Sequence, residues 1–373
     1  MATTYKRVTK IVFLVLNLIT SVLFLLACLA PYLDPEKWWL ISLMGLGFAL
    51  IIVTLFAFIL FWLFFGPRYI FLSIIPLLIG WKSISVFFAF HTPNKFDYTR
   101  DKSSIRVVHW NVARFLEWKR NNNKKSQVRL KMMDQLKEQN ADVLCMQEFF
   151  SSTDSQYYNN LSFVMKELGY PYYFYSRDHD GAQQYIGQVI FSRLPIIDSG
   201  MIRYPEPSMP EALIHVDLKW GNDTLRIFTT HLQSVQFKKK DYEQIEAIKA
   251  PNEKVVENSR NIFSKLKKGI ILRSLQARIL KEQLAASPYP VILTGDMNDV
   301  PNSYTYHTIV NDQLQDVFLQ TGFGVGRTFN NLAPTLRIDY IFTSRDFKVR
   351  QFNRIAKNLS DHYMLVSDLQ LIK

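Results

Sequence analysis

Residues 291–298 read VILTGDMN, and this stretch decides the fold of the larger part of the chain. Three apolar residues lead into Asp296 and Asn298, so a hydrophobic strand delivers a carboxylate and a carboxamide at its carboxyl end. The two side chains are two positions apart and therefore point the same way on an extended tip. This pattern predicts a polar site built on a rigid base.

Three further strand-like runs end in the same way, at Asn111, Glu148 and His231. A fifth strand, residues 338–342, holds Asp339. Carboxylates, carboxamides and imidazoles are the groups that hold a hard divalent cation, activate water and stabilise negative charge on phosphate. The shared position at strand ends predicts that these side chains act together.

The order of these motifs resembles that of the endonuclease/exonuclease/phosphatase superfamily. The matching pieces are HWNV at 109–112, MQE at 146–148, GQVIFSRLPI at 187–196, THLQ at 230–233, GDMN at 295–298, RIDYI at 337–341 and SDH at 360–362. The resemblance covers about residues 104–373 and is most specific in the terminal SDH. It implies a phosphoester hydrolase that uses a divalent metal.

The periodicity of residues 105–373 predicts strands interspersed with helices, which favours an α/β sandwich. Strands are expected at 105–111, 142–148, 172–175, 187–192, 213–218, 225–231, 291–296, 338–342 and 363–372, and helices at 126–139, 161–168, 241–286 and 304–309. The resemblance implies two mixed β-sheets flanked by helices, which is a four-layer sandwich.

The first 91 residues have a different composition and are predicted to form a transmembrane region. About 20 apolar residues cross a hydrocarbon core, and the predicted spans are 11–30, 38–65 and 69–90. The third contains Lys82, so two or three spans are expected. A cleaved signal peptide is the alternative for the first span, but a second apolar run follows too soon. Residues 92–104 are predicted to be a linker, and 105–373 the catalytic domain.

Basic residues predict the orientation of these spans. Lys6, Arg7 and Lys10 precede the first span, and Arg68 lies before the third. By the positive-inside rule both places are cytoplasmic. Three spans then place the catalytic domain on the extracytoplasmic side of a bacterial inner membrane. If the third segment only lies on the membrane surface, the domain faces the cytoplasm.

The chain carries a net charge of +12, and much of the excess lies in residues 237–273. One interpretation is an electrostatic face for nucleic acid or an anionic lipid surface. The other is a solvated helical insertion whose lysines alternate with glutamates. The two cysteines, Cys28 in the first span and Cys145 in a buried run, are not expected to form a disulfide.

The resemblance implies a metal site made by Asn111, Glu148 and Asp361. Mg²⁺, with Mn²⁺ as an alternative, binds one or two carboxylates together with water and substrate oxygens. Many relatives carry a second polar residue two positions after the asparagine, and here that residue is Ala113. This difference favours one metal ion.

The same resemblance implies a catalytic set of His231, Asp296, Asn298, Asp339 and His362. Asp296 would align or deprotonate the attacking water, with Asn298 holding the water or the phosphate. His231 would stabilise the phosphate oxygens. Asp339 would fix the tautomer of His362, which would assist the water or bind phosphate. Each residue alone also fits a turn, cap or core-edge role.

The leading hypothesis is a membrane-anchored metal-dependent phosphoester hydrolase, resembling a phosphodiesterase or endonuclease, in which water attacks phosphorus. The substrate is then nucleic acid or another phosphoester. One alternative is a phosphodiesterase for lipid headgroups, of the sphingomyelinase or phosphoinositide kind. Another is a non-catalytic binding module held at the membrane. No protein partner is evident, and a transporter is disfavoured because the spans lack paired charges.

Overall fold

The computed structural model describes residues 2–92, 95–99, 101, 103–120, 127–205, 212–237, 239–248 and 255–372. The α-helices of these residues are α1 (Ala2–Ala27), α2 (Pro35–Leu46), α3 (Phe48–Phe65), α4 (Phe71–Ile79), α5 (Trp81–Phe87), α6 (Val128–Gln139), α7 (Asn160–Glu167), α8 (Lys239–Ile248), α9 (Val255–Ala285), α10 (Tyr304–Val310) and α11 (Val317–Thr321). Short 3₁₀-helices lie at Pro67–Tyr69 and Ala113–Phe115.

The same residues form seventeen β-strands. They are β1 (Ala89–Phe90), β2 (Ile105–Asn111), β3 (Val143–Gln147), β4 (Ser151–Ser152), β5 (Tyr172–Tyr175), β6 (Asp178–Gly181), β7 (Gln184–Ile186), β8 (Val189–Ser192), β9 (Ile196–Arg203), β10 (Ala212–Trp220), β11 (Asp223–His231), β12 (Val291–Asp296), β13 (Leu314–Asp316), β14 (Phe323–Gly324), β15 (Asp339–Ser344), β16 (Phe347–Ile355) and β17 (Met364–Leu371).

The chain divides into two compact units. The first comprises Met1–Phe87, Val235–Ser274 and Val300–Thr308, and the second comprises Phe88–Ser234, Leu275–Asp299 and Ile309–Lys373. The predicted boundary near residue 91 lies close to the end of the first segment. The first unit also takes in two later segments that the predicted division assigns to the catalytic domain. The predicted linker, 92–104, lies partly outside the described residues.

In the described part of the first unit, two helices are long and apolar enough to cross a membrane, Lys6–Ala27 and Phe48–Phe65. The predicted span 38–65 is divided at Gly47, where α2 ends and α3 begins. The predicted third span is also interrupted, because Pro67–Ile79 and Trp81–Phe87 are bent by 67°. It is therefore either one broken span or a re-entrant loop.

Polar and close backbone contacts join the segments of the first unit. The amide of Asn302 donates to the carbonyl of Ala27 over 2.9 Å. A Cβ atom placed on Gly45 of α2 would lie 2.6 Å from the carbonyl oxygen of Asn302. The ammonium group of Lys267, in α9, lies 5.0 Å from the ring centroid of Trp39. Residues far apart in the chain thus pack as one body.

The second unit is built on two six-stranded mixed sheets. Their strand orders are β16-β17-β2-β3-β8-β5 and β13-β15-β12-β11-β10-β9. Each sheet has one parallel pair, β2 with β3 and β11 with β12, and its other pairs are antiparallel. A parallel pair needs a long crossover, which α6 supplies in the first sheet and residues 232–290 in the second. The predicted α/β fold of two mixed sheets flanked by helices is confirmed.

Alternation along the strands places the core on both faces of the first sheet. Val107, Val143 and Cys145 pack with residues of the second sheet, so this cluster fills the space between the sheets. Their neighbours Val108 and Leu144 instead pack with the buried residues of α6 and α7. A period of two therefore explains both layers.

Three strands of the two six-stranded sheets were absent from the sequence-based prediction, β9, β13 and β16, and each lies at the edge of its sheet. Edge strands need only one buried neighbour and carry polar and charged residues that discourage further pairing. The exposed positions of β9 and the half-buried positions of β16 show this pattern. The predicted start of α6, Ser126, lies outside the described residues.

Candidate active site

The two parallel strand pairs deliver four polar side chains at their carboxyl ends. In one sheet Asn111 pairs with Gln147, which precedes Glu148. In the other, His231 pairs directly with Asp296. Carboxyl ends of parallel neighbours meet at the same edge of a sheet, and packing the two sheets face to face brings these edges together.

The carboxamide of Asn111 joins residues from both sheets. Its Nδ2 donates to Glu148 Oε1 over 3.2 Å and to Asp296 Oδ2 over 3.1 Å. Its Oδ1 accepts from the backbone N–H of Ala113 over 3.1 Å. Asn111 in this orientation is a donor that holds two carboxylates in place.

Asp296 lies at the centre of the group. Its Oδ2 lies 3.6 Å from Nε2 of His231 and 3.6 Å from Nε2 of His362. The side chain is buried, and burial raises the pKa of the Asp296 carboxyl while the positive charge of His362 opposes the rise. Two imidazoles and the Asn111 amide therefore face one carboxylate oxygen of Asp296.

Asp339 begins β15 opposite Asp296 in the register of the sheet. His362 Nδ1 donates to Asp339 Oδ2 over 2.9 Å. Burial alone would raise the pKa of Asp339, but the charge of His362 and hydrogen bonds from His109 and His362 hold it well below its usual range. Burial would lower the pKa of His362, and the neighbouring carboxylates Asp339 and Asp296 raise it to about 10. The pair is therefore an ion pair at neutral pH.

His109 is a site residue that the sequence-based set omits. It is fully buried in β2, and its Nε2 lies 3.0 Å from Asp339 Oδ1. Because Asp339 is ionised, His109 donates to it. A histidine within a strand of continuous apolar character fits a core residue equally well, so only its position two residues before Asn111 marks it.

Asn298 and Asp361 lie beside the central residues. The backbone N–H of Asn298 donates to Asp296 Oδ1 over 2.9 Å, and the Asn298 side chain donates to the carbonyl of Leu232 over 3.0 Å. Asn298 has φ of 51°, a left-handed conformation that asparagine tolerates. Asp361 accepts from the Ser360 hydroxyl over 3.2 Å and is half-buried. Both have structural contacts, and their catalytic and metal roles stay predictions.

A chain of side-chain hydrogen bonds links the two sheets beneath the site. Gln147 Nε2 donates to Thr229 Oγ1 over 2.7 Å, and Thr294 Oγ1 donates to the same oxygen over 2.9 Å. All three side chains are fully buried. Such a bridge fixes the spacing of the two sheets directly behind Glu148 and Asp296.

Among the described residues, the group whose ligand atoms lie close enough to share a metal ion is Asp296, Asp339 and His362, all within 4.8 Å. This group differs from the predicted metal set of Asn111, Glu148 and Asp361. The hydrogen bonds between Asp339 and His362 already use the imidazole Nδ1, and Mg²⁺ prefers oxygen ligands. The carboxylate of Glu148, which accepts from Asn111, offers the oxygen ligands that the predicted metal set requires.

A cavity of about 660 Å³ lies away from these residues. Its lining includes Trp220 and Asp223, at the turn between β10 and β11, whereas His231 is at the other end of β11. We therefore do not assign it to the chemistry.

With this geometry in place, a family model described as "Endonuclease/Exonuclease/phosphatase family" matches residues 108–362. The chain belongs to the endonuclease/exonuclease/phosphatase family. This match confirms the superfamily predicted from the motifs. Members of this family hydrolyse phosphoesters and typically use a divalent metal. A second model, a domain of unknown function, matches residues 9–87. No curated protein matches this family member.

Solved structures show the same endonuclease/exonuclease/phosphatase fold. An endonuclease/exonuclease/phosphatase from Beutenbergia cavernae is 18% identical with a TM-score of 0.51, covering 72% of each chain. The human Nocturnin catalytic domain with bound sulfate anion is 18% identical with a TM-score of 0.50, covering 72% of this chain and 94% of that one. A Bacteroides vulgatus member is also 18% identical, with a TM-score of 0.50 and coverage of 72% and 99%.

Proposed function

We propose that the chain is a membrane-anchored, divalent-metal-dependent phosphodiesterase in which water attacks phosphorus in line with the leaving oxygen. The observation that carries the proposal is the convergence of two imidazoles, His231 and His362, on one buried carboxylate oxygen of Asp296, each over 3.6 Å. This arrangement offers a base for water next to donors for phosphate oxygens.

The roles follow from charge. The carboxylate of Asp296 accepts the proton of water or aligns it, and Asn298 supports Asp296 through its backbone N–H. Because its pKa is raised to about 10, His362 is a cation at neutral pH and acts as a donor to phosphate rather than as the base. Asp339 keeps that cation in place, and His231 is a second donor to phosphate.

The metal fits the oxygen-rich side of the site. Glu148 would be its principal ligand, Asp361 a second, and Asn111 would orient a bound water through its amide. Mg²⁺ or Mn²⁺ held there would supply positive charge against the phosphate oxygens as negative charge accumulates. The Glu148 backbone has φ of 49°, a strained conformation for a non-glycine residue, which supports a functional reason for the position of its carboxylate.

The test uses the full-length chain in nanodiscs. Single- and double-stranded DNA, RNA, sphingomyelin and phosphoinositides are incubated with Mg²⁺, with Mn²⁺ or with chelator. Asp296→Asn removes the charge of the central carboxylate, and Asp198→Asn on the exposed edge strand β9 is the matched control. We expect cleavage of one substrate class, abolished by chelator and reduced about 10²- to 10⁴-fold by Asp296→Asn.

Equal activity of the two variants would refute the proposed mechanism. A folded chain that binds Mn²⁺ but cleaves nothing in the panel would point to another phosphoester. A chain that cleaves nothing and binds no metal would favour the non-catalytic binding module.

A lipid-headgroup phosphodiesterase is the second candidate. It is favoured by the two apolar helices Lys6–Ala27 and Phe48–Phe65, which would keep the enzyme beside a bilayer. The proposed location is a bacterial inner membrane, with the catalytic unit outside the cytoplasm if the bent third stretch crosses. Preference for sphingomyelin or phosphoinositide over nucleic acid in the same panel decides for this candidate.

A further inference from the structure

We infer that the first unit holds an anionic phospholipid headgroup between α2 and α9, at a site separate from the catalytic group. The inference rests on the membrane anchoring included in the proposed function. The site is a cavity of about 390 Å³, lined by Trp39, Leu40, Arg260, Phe263, Ser264 and Lys267.

The α9 wall of this cavity is one face of a helix. Arg260, Phe263, Ser264 and Lys267 follow the spacing i, i+3, i+4 and i+7, which aligns side chains along two turns. A cation thus lies at each end of the stripe, with an aromatic ring and a hydroxyl between. None of the six lining residues is acidic, so the cavity has a positive charge without compensation from its own walls.

The α2 wall places the cavity at the level of a membrane surface. Trp39 and Leu40 follow the apolar helix α1 and precede the apolar helix α3, so they lie in the segment that connects two candidate spans. Tryptophan is enriched at this level because its ring is amphipathic. The side chains of Leu40 and Phe263 are 57% and 47% exposed, which leaves apolar surface open to glycerol and acyl groups.

Lys267 is held in position for an anion. Its ammonium group lies 5.0 Å from the Trp39 ring centroid, a cation–π contact that orients the nitrogen without neutralising its charge. Arg260 is exposed at the other end of the stripe. In an anionic phospholipid, the phosphate would contact Arg260 and Lys267, and the apolar chains would cover the rings of Trp39 and Phe263. A soluble polyanion would contact the two cations but would leave the apolar surface exposed.

The test measures lipid retention by native mass spectrometry on the full-length chain in detergent, titrated with phosphatidylglycerol or phosphatidylcholine. The double variant Arg260→Gln, Lys267→Gln removes both cations. The control Lys268→Gln, Lys281→Gln removes two exposed lysines of α9 that do not line the cavity. We expect preferential retention of phosphatidylglycerol, weakened about tenfold or more in the double variant and unchanged in the control.

Equal retention in the double variant and the control would overturn the site, as would complete displacement of phosphatidylglycerol by millimolar inorganic phosphate. Arg260→Lys with Lys267→Arg preserves both charges and must retain the lipid, which guards against a folding defect. Carbonate extraction of membranes tests the anchoring separately. Release of the chain would refute the anchoring itself, whereas retention in the membrane without preference for phosphatidylglycerol would refute the headgroup site alone.

Discussion

The Asp339 carboxylate is shared by two imidazoles, those of His109 and His362. His362 bonds to one side of it and His109 to the other, over 2.9 and 3.0 Å. This arrangement limits rotation of the carboxylate, so the His362 ring is held towards Asp296. His109 touches neither water nor phosphate in this geometry and is a positioning residue.

Replacement of His109 by alanine is expected to lower kcat/KM about 10- to 100-fold, because hydrogen-bond partners of site ligands commonly contribute that much. The loss should fall mainly on kcat, and the pH profile should shift as Asp339 loses a donor. The measurement is steady-state hydrolysis across pH, with His179→Ala, an exposed histidine, as control. A purely structural role would instead lower the yield of folded protein and leave the pH profile unchanged.

The ion pair of His362 and Asp339 also predicts how stability depends on pH. The pKa of His362 is raised to about 10 from the ordinary 6.5. A group with a raised folded-state pKa stabilises the protein fully below its unfolded pKa, and this contribution is lost as pH rises through the folded value. In chelator, the difference in free energy of unfolding between the parent and His362→Asn is therefore expected to be largest below about pH 6.5 and to shrink towards pH 10.

Denaturant unfolding at pH 6, 8 and 10 measures this difference. A difference that grows with pH would contradict the assigned charge state of His362.

Two short sequence motifs, through their resemblance to the family, predicted the contact of Asp339 with His362, although the strands next to them, β15 and β17, belong to different sheets. They did not single out His109, since its burial is indistinguishable in sequence from that of its apolar neighbours. The orientation of the Asn111 amide depends on Glu148 and Asp296 together, which only the packed sheets specify.

At the level of elements, the central strands of the two large sheets were predictable, whereas of their four edge strands only β5 was. The strands β2, β3, β11 and β12 contain short apolar runs at buried positions because they lie inside the sheets. The charged edge strand β16 has no such run. The break at Gly47 was missed for a related reason, since an apolar sequence continues through it without a polar signal.

Gly45 provides a prediction at this scale. Alanine there would place a Cβ atom 2.6 Å from the carbonyl oxygen of Asn302, and a backbone atom cannot move aside easily. We expect Gly45→Ala to lower the free energy of unfolding by about 1–3 kcal/mol. Gly47→Ala is the matched control, because its nearest neighbour would be 3.6 Å away. Thermal unfolding of both variants in detergent gives the comparison, and equal melting temperatures would contradict the close packing.

At the scale of the whole molecule, the side of the membrane occupied by the catalytic unit depends on the bent stretch Pro67–Phe87. We expect it to cross, which makes residue 95 extracytoplasmic. A Lys95→Cys variant in a Cys28→Ser background should then react with a membrane-impermeant maleimide added outside intact cells. Cys145 is fully buried, and burial raises the pKa of its thiol to about 12, so it should stay unlabelled in the folded protein.

Labelling of residue 95 only after the cells are opened would place the catalytic unit in the cytoplasm and make the stretch a re-entrant loop. The Cys28→Ser chain without Lys95→Cys is the control for background reaction.

The sequence did not predict which segments of the chain make up the first unit. Composition separates residues 1–91 from the rest, but the packing of 235–274 and 300–308 with them depends on contacts such as that of Asn302 with Ala27, distant in the chain. Charge patterning did identify residues 237–273 as unusual and left a solvated helix and an anionic surface open. The helices α8 and α9 confirm the helical part of that prediction.

The first unit is made of three segments separated by parts of the second unit, and this order has a consequence for folding during protein synthesis. Its apolar helices leave the ribosome before their partner Asn302, which is made only after most of the second unit. Chains fold as they emerge, and contacts between distant residues form late. The nascent chain must therefore keep the buried surface of α1 and α2 covered by other means until residue 308 has appeared, and a ribosome stalled between residues 88 and 234 would present that surface to chaperones.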